Sequence, residues 1–166
     1  MKGKQWLQEK SKGDDLRFFW KIFWLRERRR GSFAGKLLTL FVNRLACRHG
    51  GYIGDGARLL DVPSLPHGLH GVYISRYASI GRGCRIYQQV TIGEVAHQAP
   101  DIGDGCLIGA GAVLVGGIRI GRQAKIGAGA VVCTDVPDFA TVVAWPPRIL
   151  QEGHGTANRK GEAHDG

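Results

Sequence analysis

The stretch ISRYASIGRGCRIYQQVTI, residues 74–92, places isoleucine at every sixth position: Ile74, Ile80, Ile86 and Ile92. After four extra residues the same beat resumes in IGDGCLIGAGAVLVGGIRIGRQAKIGAGAVV, residues 102–132, at Ile102, Ile108, Leu114, Ile120, Ile126 and Val132. Glycine follows the aliphatic residue at positions 80, 92, 102, 108, 120 and 126. Two positions before each aliphatic residue stands Ala78, Cys84, Val90, Pro100, Cys106, Ala112, Ile118, Ala124 or Ala130, mostly small. A weaker echo at Ile53, Leu59 and Leu65 carries the pattern towards the N-terminus. A period of six matches neither an α-helix nor a strand that alternates by two. It matches a coil of three flat faces, with one hexapeptide per face and eighteen residues per turn. The aliphatic residue points inward, the small residue fills the corner, and glycine permits the bend. The predicted fold is an all-β solenoid, a left-handed parallel β-helix of hexapeptide repeats. Its handedness follows from the hexapeptide spacing and runs against the usual right-handed crossover. A glycine-rich β-sandwich would alternate by two and lack a fixed six.

Outside the repeat the chain changes character. Of 166 residues, the first 50 hold 13 Lys and Arg against 4 Asp and Glu, while the remainder holds 10 of each, so the net charge of +9 belongs to the N-terminal third. That localisation points to an anionic surface or partner for this segment and away from a chain that binds nucleic acid as a whole. Residues 14–30 carry Leu16, Phe19, Trp20 and Phe23 at helical spacing, with Asp14 as N-cap. Ser32 is placed to cap a second helix with Phe33, Leu37, Leu40 and Phe41 on one face. Two readings stay open for residues 14–46: packing on the solenoid or a protein partner, and peripheral attachment to an anionic membrane through Trp20, Trp24 and the cluster Arg26–Arg30. The expected organisation is a basic helical extension over 1–50, a β-helix over 51–150, and a disordered polar tail over 151–166. The start lacks the apolar core of a signal peptide, and no stretch reaches the length that spans a bilayer. Cys47, Cys84, Cys106 and Cys133 form no Cys-x-x-Cys pair, which fits a reduced, cytoplasmic chain with Cys84 and Cys106 as small core residues.

A regular solenoid wall has few clefts, so chemistry is expected where the wall is interrupted or where subunits meet. The first interruption is Leu65-Pro-His-Gly-Leu-His-Gly71, where the spacing slips from six to nine; the second is the insertion near residues 94–100. They carry His67 and His70, and His97, respectively. Imidazole is the natural group to take a proton from an alcohol near neutral pH, and Pro66 and Gly68 would hold His67 in a turn that aims the ring outward. A surface histidine is the alternative. Three histidines can also hold zinc with an open position for water, which leaves a hydratase of the γ-carbonic anhydrase type as a rival chemistry.

The Pro-His-Gly loop, together with Gln88-Gln-Val-Thr-Ile-Gly93, Ala99-Pro-Asp-Ile-Gly-Asp-Gly, the two Ile-Gly-Ala-Gly-Ala turns and Asp135-Val-Pro-Asp, resembles the serine acetyltransferase family over about residues 50–150. It looks closest to short forms associated with surface-polysaccharide gene clusters. The resemblance implies a homotrimer with acetyl-CoA bound in grooves between β-helices and no metal. It implies His67 as catalytic base, Ala110 and Ala128 along the pantetheine arm, Lys125 and Arg148 as basic residues of the cofactor groove, and His97 on the acceptor side. The implied reaction moves acetyl from acetyl-CoA to L-serine, with a sugar hydroxyl as the alternative acceptor; a non-catalytic scaffold is the third class. The chain departs from the family at Pro66, where an Asp precedes the histidine, at Gln98-Ala-Pro100, where the family has Arg-His-Pro, and at Glu94, where it has glycine. Asp61 stands nearer to His67 than the family's histidine-orienting Asp.

Overall fold

A computed structural model describes residues 16–145. Among these residues two helices, α1 (Arg17–Arg28) and α2 (Phe33–Arg48), precede thirteen strands of two or three residues each. All the strands pair in parallel within three sheets. The first sheet stacks β1 (Tyr52–Ile53), β3 (Tyr73–Ile74), β6 (Thr91–Gly93), β9 (Val113–Val115) and β12 (Val131–Val132). The second stacks β2 (Arg58–Leu59), β4 (Ser79–Ile80), β7 (Asp101–Ile102) and β10 (Arg119–Ile120). The third stacks β5 (Arg85–Ile86), β8 (Leu107–Ile108), β11 (Lys125–Ile126) and β13 (Thr141–Val142). Successive strands therefore rotate through three faces, and the chain is the β-solenoid that the six-residue period predicts.

Register follows the aliphatic beat. Ile74 pairs with Ile92, and Leu114 with Val132, one eighteen-residue coil apart. Ile53 pairs with Ile74 across a coil lengthened by three residues, and Ile92 with Leu114 across one lengthened by four. The surplus is absorbed at corners and the register survives. Every aliphatic residue of the ten-face pattern is buried, as are the small residues two positions before them. Each buried aliphatic side chain contributes about 1.5–3 kcal/mol relative to exposure, which is the main term holding such short strands together. Cys84 and Cys106 sit in one corner column, their thiols donating to the carbonyls of Gly103 (3.2 Å) and Gly121 (3.0 Å). Hydrogen bonding to Cys84 and burial hold the Cys106 thiol above its ordinary range, consistent with a packing role.

The helices close the open end of the first coil. Phe19 and Phe23 of α1 and Val42 and Ala46 of α2 belong to the same buried cluster as Ile53 and Ala57. The Gly51 amide donates to Ala46, and Arg30 reaches the Ala57 carbonyl. Ser32 caps α2 as expected, its hydroxyl oxygen accepting from the Gly35 amide at 3.1 Å. Helix α1 starts at Arg17 with Leu16 at the cap and no side-chain cap bond; Asp14 and the tail over 151–166 lie outside the described residues. The apolar face of α2 departs from the simplest expectation. Phe33, Leu37, Leu40 and Phe41 point to solvent, while Gly35, Val42 and Ala46 face the core.

Two measurements check this account. Ile108, fully buried between Ile86 and Ile126, has no room to relax, so Ile108→Ala should lower unfolding stability by about 2–5 kcal/mol in denaturant titration. Asp138 accepts from the Arg122 backbone amide at 2.8 Å and from its guanidinium, which hold its carboxyl below the usual carboxylate range. A depressed folded-state value stabilises above the unfolded-state value and is lost as pH falls through the folded one. Asp138→Asn should therefore lower the thermal midpoint at neutral pH, with the gap from the parent closing in acid.

Candidate active site

The corner joining the third sheet to the first is a continuous edge of the prism. Along it the Gly71 amide donates to Gly50 (2.8 Å), Gln89 to His70 (2.8 Å), Gly111 to Gln88 (3.0 Å) and Gly129 to Ala110 (2.9 Å). The histidine loop, residues 65–71, therefore sits directly beside the corner of residues 87–90, with the Gly-Ala-Gly-Ala corners of 109–112 and 127–130 following. Leu69, fully buried, pins the loop, and the Gly68 amide closes its turn onto Leu65 at 3.1 Å. Gly68 and Gly71 both have positive φ, which a Cβ-bearing residue adopts only with strain. With its backbone held this way, His67 projects an exposed imidazole whose ring centroid lies 5.9 Å from that of Tyr87.

His67, His70, Ala110 and Ala128 thus share one edge. Lys125 faces outward from the adjoining third sheet, in register with Leu107. It lines a shallow cleft of about 330 Å³ with Arg85 and Gln123. Arg148 lies outside the described residues. Trp145, the last described residue, is 95% exposed.

His97 is elsewhere. The insertion forms a tight hairpin in which Val95 and Gln98 exchange backbone bonds of 2.8 and 3.0 Å. Ala96 and His97 both take positive φ, the geometry a two-residue turn of this kind demands. This hairpin occupies the edge joining the first sheet to the second, where His97 packs edge-on to Tyr77 at 5.5 Å. It overlooks a cleft of about 450 Å³ lined also by Asp101, Arg119 and Asp135. The structure brings His67 and His70 to one edge and His97 to another, so the three do not converge within one chain. Among the described residues no group of three His, Cys, Asp or Glu is placed to hold a metal ion. Asp61 accepts from the Val62 amide at 2.7 Å and leaves the orientation of His67 to other groups.

Sequence reasoning missed Gln88 as a site residue. Its side-chain carbonyl oxygen is buried without a hydrogen-bond partner, one residue from the tyrosine that flanks His67. A signal was present: Gln88-Gln89 stands where the following corners of the same edge read Ala-Gly. Glu94, the residue that replaces glycine, accepts a hydrogen bond from the Ser75 hydroxyl and thereby ties the second interruption to the coil before it.

Comparison with known proteins agrees with this geometry. The family Bacterial transferase hexapeptide (six repeats) matches residues 100–134. The serine acetyltransferase of Synechococcus elongatus is 42% identical over 102 residues, which cover 59% of this chain and 41% of that protein. The serine acetyltransferase of Bacillus subtilis is 43% identical over 90 residues, covering 52% and 41%. Among solved structures, the serine acetyltransferase of Neisseria gonorrhoeae superposes with a TM-score of 0.69 at 34% identity, covering 80% of this chain and 53% of that one. The same enzyme in complex with serine gives 0.60 at 36% identity, covering 76% and 50%. The chain thus spans less than half the length of these curated relatives and about half of the solved ones. By its repeats, its sequence and its fold, the chain is similar to the serine acetyltransferases over its hexapeptide-repeat region.

Proposed function

We propose that this protein transfers the acetyl group of acetyl-CoA to the hydroxyl of L-serine, with His67 as general base. The observation that carries this reading is the edge on which an exposed imidazole is followed, past the corner of residues 87–90, by two Gly-Ala-Gly-Ala corners. The corners are narrow and free of large side chains, so an extended thioester arm can lie against the backbone at Ala110 and Ala128. Lys125, together with Arg148 of the chain beyond the described residues, supplies positive charge for the phosphates of CoA. The imidazole accepts the proton of the serine hydroxyl as the oxygen attacks the thioester carbonyl. The tetrahedral oxyanion collapses with cleavage of the carbon–sulfur bond, and the imidazolium returns the proton to the departing thiolate, giving O-acetylserine and free CoA. No enzyme nucleophile is needed.

Assembly as a homotrimer completes the site in this reading. The outward side chains of the first sheet include Tyr52, Tyr73, Val113 and the 70% exposed Val131, an apolar strip between the His67 edge and the His97 edge. Three copies packed about that strip would set one chain's His67 beside its neighbour's His97 hairpin. The acceptor would then lie between them, with Gln98 and Ala99 where the family carries Arg-His. The cytoplasm, where free thiols persist, suits the unpaired cysteines.

His67→Gln should lower kcat about 10²–10⁴-fold while leaving the KM for acetyl-CoA nearly unchanged, measured by release of the CoA thiol. Turnover close to that of the parent would remove the mechanism. Lys125→Ala should raise the KM for acetyl-CoA roughly two- to five-fold, the scale of an exposed charge pair, with kcat preserved. Thiol release with L-serine and not with free hexoses is expected; the reverse preference would assign the acceptor to sugars.

A further inference from the structure

The helical cap does more than close the solenoid. Helix α2 turns Val42 and Ala46 to the core, and on the opposite face it presents Phe33 (78% exposed), Leu37, Leu40 (66%) and Phe41 (63%). The same stripe continues through Lys36, Arg44 and Arg48, all exposed. Helix α1 repeats the composition: with Phe19, Phe23 and Arg26 inward, its outer side carries Phe18, Leu25, Lys21 and Arg28. Between residues 16 and 50 the only acidic side chain is Glu27, and it is engaged by Arg26 and Arg30 at 2.7 Å each. Two adjoining helices therefore expose large apolar side chains interleaved with cations and no carboxylate. Among the described residues no helix is long and apolar enough to cross a membrane.

We propose that the outer face of the α1–α2 cap is a docking surface for an anionic phospholipid membrane. The apolar side chains are large and arranged in one plane along each helix, so they can enter the boundary between headgroups and acyl chains. The lysines and arginines beside them gain from a negative surface potential within a screening length. A second copy fits less well. A self-complementary contact would bring the same cations from both copies together with no carboxylate to answer them. The half-buried Trp20 and Trp24 of α1 lie between this face and the core, the depth at which indole rings favour a membrane interface.

The test is sedimentation of the full chain with vesicles. With equal parts of phosphatidylglycerol and phosphatidylcholine the protein should co-sediment at low salt and be released as salt rises; with phosphatidylcholine alone it should stay in solution. The paired change Leu40→Ser with Phe41→Ser should cut the partition at least about ten-fold. The triple change Arg28→Gln, Arg29→Gln and Lys36→Gln should do the same and flatten the salt dependence. These side chains are exposed, so the thermal midpoint and acetyl transfer should match the parent. Absence of binding to the anionic vesicles, or equal binding to both vesicle types, would overturn the proposal. So would a change of oligomeric state in the Leu40/Phe41 variant with vesicle partition intact, which would give the face to a second copy. None of these outcomes depends on the acceptor or on His67.

Discussion

Every feature of this molecule follows from one constraint: each coil must offer its backbone amides and carbonyls to the next in fixed register. Strands of two residues are far too short to stand alone. They persist because parallel neighbours above and below share their hydrogen bonds and because an aliphatic residue from each face fills the axis. Ile53, Ile74, Ile92, Leu114 and Val132 form one such column, and each requires the one before it. The arrangement resembles a one-dimensional stack in which a coil has meaning only beside its neighbours. An end is then a liability, since its amides and apolar row have no partner on one side. The α1–α2 pair answers that liability at the first coil, and this explains why a helical segment rich in aromatics sits before a repeat that needs none.

The same constraint decides where chemistry can occur. Register forbids an extra residue within a face, so surplus chain must leave at a corner. The two insertions, three residues near His67 and four near His97, do so at different corners. The regular wall holds each departure rigidly: the histidine loop is bonded to Gly50 on one side and to Gln89 on the other. Such a loop has the precision of the scaffold with the exposure of a surface. The buried, unpaired side-chain amide oxygen of Gln88 lies at that corner. A buried polar atom left unbonded costs about 1–3 kcal/mol, a cost that a protein sustains more readily where a ligand can offer the missing donor.

Much of this was legible in the residues alone. Ten aliphatic positions in phase allow one architecture, because burial of an inward residue every six is a property of the sequence and not of the environment. Ser32 was legible for a similar reason, since a capping hydroxyl acts on its own helix within three residues. The separation of His67 from His97 is encoded in the spacing. Corners recur every three hexads, and counting faces from 67 to 97 places them on different edges. The outward turn of Phe33, Leu37, Leu40 and Phe41 was beyond a single-chain pattern. Helix α2 has apolar residues on both sides, and periodicity cannot say which side meets the core. The small Gly35 and Ala46 decided it, because they allow the helix to approach its neighbours closely: a Cβ on Gly35 would come within 3.0 Å of the backbone carbonyl carbon of Arg29.

Charge completes the picture by separating the parts. Over residues 51–145 the solenoid is electrically balanced, so its cations near the proposed site act locally: Lys125 and Arg85 stand together on the third face because that face alternates inward aliphatic with outward polar residues. The excess of nine positive charges lies entirely before the first strand. A cofactor site needs a few cations at set distances from phosphate oxygens, whereas a surface contact needs many at no particular spacing. The proposed cofactor site and the proposed surface contact thus fall on separate elements, the wall and the helical pair. Because α2 ends directly before Gly50, whose carbonyl accepts from the histidine loop, the two elements meet at the edge that bears His67.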